Sequence, residues 1–125
     1  MKIETSTFEV TRDQDDDAPI DVELIQDSTD AALALTLGAT TRETVDARTP
    51  VLIGHLRLLM AEELGADTDQ LVRQLFDKAY RVLDLTRRPT KETPTFTAYF
   101  FMREVAALTR RLLWIYTQRS GTGTA

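Results

Sequence analysis

Residues 94–118 read PTFTAYFFMREVAALTRRLLWIYTQ, and the fold is decided by this stretch. At about 100° per residue, Ala98, Phe101, Val105, Leu108, Leu112 and Ile115 recur at alternating spacings of three and four, the signature of a buried helical stripe. Met102, Ala106, Leu113 and Tyr116 widen that stripe on one side. The opposite face carries Arg103, Glu104, Arg110 and Arg111, as a solvent face should, but also Phe96, Phe100 and Trp114. A helix apolar almost all the way round is unusual in a water-soluble domain of this size, and the rest of the chain is organised around it.

Three further helices are legible upstream. The cleanest follows Asp67-Thr-Asp-Gln70 and runs to about Arg88. Leu71, Val72, Leu75, Phe76, Ala79, Val82, Leu83 and Thr86 lie on one side, with Arg73, Asp77, Arg81, Asp84 and Arg88 opposite. Before it, Thr40-Thr-Arg-Glu43 has the spacing of a capping box and opens a segment reaching Leu64, where Gly65 ends it. Pro50 falls within this segment, so a kinked helix or a broken one is expected there. The first helix is expected from Pro19 to Leu37, capped by Asp17 or a neighbour. Its buried face is Ile20, Leu24, Ile25, Ala31, Ala32 and Leu35. Short links between four helices predict an all-α, antiparallel four-helix bundle over residues 18–119. An acidic N-terminal tail (1–17) and a short C-terminal tail (120–125) complete the expected division.

Composition narrows function mostly by exclusion. With no cysteine among 125 residues, there is no disulfide framework, thiolate metal site or cysteine nucleophile. A net charge of −5 argues against general nucleic-acid binding, which depends on phosphate neutralisation. No apolar run approaches the roughly 20 residues that span a bilayer, and a cytoplasmic protein without a membrane partner is expected.

Asp13, Asp15 and Asp17 fall at the first three ligand positions of a calcium loop. Ala18 replaces the glycine of the sharp turn and Leu24 the bidentate glutamate, so the stretch reads as a solvated acidic lead-in. His55 is the single histidine, too few for a ferritin-type or zinc centre, and no metal or cofactor is expected. If the bundle were an enzyme, His55 with Tyr80, Tyr99 and Tyr116 would be the polar groups of an apolar cavity. Arg87, Arg88 and Lys91 form a candidate anion or partner site. Asp77 is expected near the level of Arg103 to Arg110, where surface ion pairs would absorb part of the positive charge.

Leu52-Ile-Gly-His-Leu-Arg-Leu-Leu59, followed by Glu62 and by the arginine-rich aromatic helix, resembles a group of small helical bacterial proteins associated with natural-product biosynthesis in antibiotic producers. The resemblance implies a cytoplasmic helical protein encoded near specialised-metabolite genes, and it transfers no catalytic residue. The expected function is a non-enzymatic accessory protein that forms a homodimer or docks a protein partner. The contact residues would be Phe96, Phe100, Arg103, Arg110, Arg111 and Trp114. The alternative is a bundle that binds a small apolar ligand or acts on a biosynthetic intermediate.

Overall fold

The computed structural model describes residues 19–119. The acidic Asp13–Asp17 stretch and both predicted tails lie outside the described residues. Four α-helices follow one another: α1 (Val22–Ala34), α2 (Arg42–Met60), α3 (Gln70–Val82) and α4 (Thr95–Arg119). Single 3₁₀ turns at Leu37–Ala39 and Leu85–Arg87 help link them. There is no strand among the described residues, and the four-helix architecture read from the sequence is what the chain adopts.

Each of the first three helices starts on a side-chain cap. Asp21 accepts from the Leu24 amide at 3.0 Å, Thr41 from that of Thr44 at 3.1 Å, and Asp69 from that of Leu71 at 2.9 Å. These contacts satisfy amides that have no intrahelical partner. Asp21 thus begins α1, and not Pro19 in the first turn as expected. In the same way Thr41, not Thr40, begins α2. The buried face of α1 is also rotated from the expected one, to Ile25, Thr29 and Ala32, leaving Leu24 exposed.

Of the two outcomes open at Pro50, the break does not occur: α2 is one helix with proline inside it. Proline removes the amide that would bond the Asp46 carbonyl, and Asp46 lies on the exposed side where water can serve instead. Beside it the buried Thr49 donates its hydroxyl to the Val45 carbonyl at 2.8 Å. Helix α2 ends at Met60, short of the expected Leu64. Glu63, Leu64 and Gly65 all take positive φ (66°, 47° and 82°), and this turn carries Leu64 into the core at 4% exposure. Burial of a leucine, worth about 1.5–3 kcal/mol, is of the same order as holding the two non-glycine residues in left-handed backbone at about 1–2 kcal/mol each.

Contacts fix the helix directions. Leu35, Leu33 and Asp30 of α1 meet Tyr99, Arg103 and Arg110 of α4, so one chain position falls as the other rises. Gly65, before α3, lies against Arg119, whereas Arg87, after α3, reaches Glu104. Helices α1 and α3 are therefore both antiparallel to α4. Helix α2 begins where α4 begins, since Arg42 donates to the carbonyls of Thr90 and Thr93 just before it. Helix α4 touches all three others and packs most extensively on α2. The predicted stripe is its buried face: Ala98, Met102, Val105, Ala106 and Leu112 are fully enclosed, and Phe101, Leu108 and Leu113 nearly so. Ile115 and Tyr116 are only partly covered.

Candidate functional site

Phe96, Phe100 and Trp114 remain in solvent, at 56%, 55% and 64% exposure. Phe96 and Phe100 are one turn apart, and Trp114 follows fourteen residues later, about 21 Å along the axis and within about 40° of the same direction. Between them the outer face of α4 presents Ala107, Arg110 and Arg111, all exposed. The result is one line of aromatic, small and cationic side chains along a rigid helix. Phe100 is fixed in place by an edge-on contact with the buried Tyr99 ring, centroids 5.2 Å apart. Phe96 and Phe100 also line a surface cleft of about 630 Å³, bounded by Arg87, Arg88 and Thr93.

The arginines of this face differ in what they do. Arg103 donates to the Leu33 carbonyl at 3.0 Å and holds its guanidinium 5.9 Å from the Tyr99 ring centroid. Tyr99 itself donates to the Leu35 carbonyl at 2.8 Å. Both therefore satisfy carbonyls at the C-terminal end of α1, where a cation also suits the negative end of the helix dipole. Arg110 meets Asp30 at 3.3 Å with both side chains half exposed. The partners anticipated through Asp77 are thus supplied by α1. Arg111 makes no ion pair or side-chain hydrogen bond among the described residues.

His55, Tyr80, Tyr99 and Tyr116 are placed apart. Tyr99 is at the α1 C-terminal end of α4. Tyr116 is seventeen residues further along, beside Glu62 and Arg119. Tyr80 is 63% exposed, next to Arg57 and Met60. His55 lines none of the five clefts described for this surface. Its Nε2 is 3.2 Å from Ser28 Oγ, a hydrogen bond between α1 and α2. Among the described residues no group of three or more histidines or acids is placed to hold a metal. No helix among them is long and apolar enough to cross a membrane.

Burial holds the His55 imidazole below its ordinary pKa, with the negative charge of Asp21 acting partly against that. The unfolded chain therefore takes up this proton more readily than the folded one. The stability involved is fully present above the unfolded value near 6.5 and is lost as pH falls through the lower folded value. Between pH 7 and pH 5 the melting temperature of the wild type is expected to fall further than that of His55→Gln, whose amide can still bond Ser28. Parallel declines in the two proteins would mean that the imidazole has no part in the acid response.

Sequence reading did not single out Ala107 or Arg57. Ala107 was detectable as the one small residue in the middle of the aromatic face. Arg57 had no local signal, because the opposite wall of its cleft, from Arg88 to Lys91, is more than thirty positions away in the chain. No protein-family model, curated protein or solved structure matches this chain.

Proposed function

We propose that this chain is a non-enzymatic accessory protein that self-associates through α4, two copies meeting antiparallel across the Phe96–Phe100–Trp114 face. The observation that carries the reading is the exposure of three large aromatics on one line of one helix. Leaving each in water forgoes roughly 1–2 kcal/mol of burial. A second copy is favoured as occupant by the order of residues along the line. A two-fold axis beside Ala107 sets Phe100 of one copy against Trp114 of the other at both ends of the contact. The same operation sets Arg110 against Glu104, opposite charges at one level, although each already has a partner within its own chain, Asp30 and Arg87. Arg111 would face Arg103, but Arg103 is already engaged inward with Leu33. A small residue at the axis lets the backbones approach.

Two crossing helices bury less than the roughly 1,600 Å² of a standard stable interface, so a dissociation constant on the order of 10 μM is expected. The same proposal extends to a cytoplasmic role linked to specialised-metabolite biosynthesis, as the resemblance of residues 52–59 and α4 would imply.

A single engineered thiol tests the arrangement, because the chain has no cysteine. Helix axes 8–10 Å apart leave facing Cα atoms roughly 3.5–5.5 Å from one another, overlapping the span of a disulfide. Under mild oxidation Ala107→Cys is expected to form covalent dimer about tenfold faster than Ala47→Cys, because pre-association raises the local thiol concentration. Ala47 is an exposed alanine on α2, away from the proposed axis. Equal rates at the two positions would remove this reading.

A further inference from the structure

Helix α3 has thirteen residues against nineteen in α2, so it covers only the upper part of the α2–α4 pair. Below it the connection from Leu83 to Pro94 descends beside α2 and leaves a trough of about 630 Å³ between them. The volume is in the range of small-molecule sites. On the α2 side the floor is Pro50, Ile53 and Gly54, and Pro89 lies opposite. Gly54 matters most, since a Cβ built there would meet nothing within 4 Å. The trough exists partly because this position has no side chain.

Its rim is cationic in a chain whose net charge is −5. Arg42, Arg57, Arg88 and Lys91 line it with one carboxylate, Asp46. Arg42 is committed to Asp46 at 2.8 Å and to the carbonyls of Thr90 and Thr93, and it ties the two walls together. Arg57 and Lys91 have no side-chain hydrogen bond or ion pair among the described residues. Arg88 donates through Nη2 to Leu83 at 3.3 Å, while its Nε is buried with no partner. Two free cations and the half-buried Arg88 guanidinium thus line the rim above an apolar floor. Like charges held together are unfavourable until a counter-charge joins them.

We propose that this trough binds a small phosphate monoester, its dianionic head held by Arg57, Lys91 and the Arg88 guanidinium and its organic body lying on Pro50, Ile53 and Pro89. A phosphate monoester carries about −1.5 to −2 charges near pH 7 and three acceptor oxygens, which suits three cationic donors better than a monocarboxylate does. The site adjoins the cleft at the Phe96–Phe100 end of α4, since Arg88, Pro89 and Thr90 line both, but it uses neither aromatic ring.

Phenyl phosphate is the probe, titrated calorimetrically into the full chain at constant ionic strength, with sodium sulfate and phenol as comparisons. Saturable binding is expected, stronger than that of either comparison. Arg57→Gln/Lys91→Gln is expected to weaken it at least tenfold. Gly54→Leu is expected to weaken it as much while keeping every charge and a melting temperature no lower than wild type. Three results would overturn the proposal. One is no saturable binding up to about 10 mM, weaker than any specific site would show. Another is equal affinity in wild type and in Arg57→Gln/Lys91→Gln. The third is a duplex oligonucleotide displacing the probe at far lower concentration, which would make the rim a nucleic-acid surface instead.

Discussion

Truncating Leu112 to alanine is expected to lower the unfolding free energy by about 3–4 kcal/mol, whereas truncating Trp114, two residues along the same helix, is expected to change it by less than about 0.5 kcal/mol. Leu112 is fully enclosed, and close-packed neighbours cannot collapse completely onto the space an alanine leaves. Lost transfer energy and the residual cavity both count against the variant. A domain of this size has about 5–15 kcal/mol of stability in total, so the loss would be a large fraction. Trp114 has most of its surface in water already, and removing it from the isolated chain empties nothing. Chemical denaturation at protein concentrations well below 10 μM checks the pair, keeping self-association out of the comparison. Comparable losses at both positions would mean that the exposed side of α4 is misassigned.

The second large effect concerns association. Phe100→Glu/Trp114→Glu is expected to weaken self-association at least 100-fold while leaving helicity unchanged. Aromatic anchors buried in an interface can contribute about 2 kcal/mol or more each, and the proposed two-fold axis would place every substitution at both ends of the contact. The double variant also sets carboxylate against carboxylate. Two single variants resolve the direction of pairing. Alone, Phe100→Glu and Trp114→Lys should each associate poorly. Mixed in equal amounts, they should recover most of the lost affinity. An antiparallel mixed pair has one native Phe100–Trp114 end and one Glu–Lys end, while a parallel pair has neither. Failure of the mixture to recover would exclude the antiparallel register.

Much of this architecture could be read from residue spacing, and the exceptions have physical causes. The α4 stripe from Ala98 to Leu113 was legible because a helix buried on one side must repeat near 3.6 residues whatever covers it. The ends of α1 were not. Leu35 leaves the helix in extended backbone with its carbonyl taken by Tyr99, sixty-four residues away. Local sequence contains no trace of that bond. The end of α2 was missed for a similar reason, since a helical continuation would have carried Leu64 away from the place where it is buried. The aromatic face was legible residue by residue, because Phe96, Phe100 and Trp114 fell outside the stripe. That Arg103 turns inward to α1 while Arg111 stays free required the three-dimensional arrangement. The cationic trough was half legible: Arg88 and Lys91 stood out, but Arg57 and the gap over Gly54 come from the short α3 and the path of the chain beyond it.

Equilibrium sedimentation of the unmodified protein tests most directly whether the exposed line on α4 is a contact between two copies of this chain. The apparent mass is predicted to rise from the monomer value of 14.1 kDa towards twice that value as concentration passes through the micromolar range. A mass that stays at 14.1 kDa up to about 1 mM, far above the affinity expected for such a contact, would contradict it.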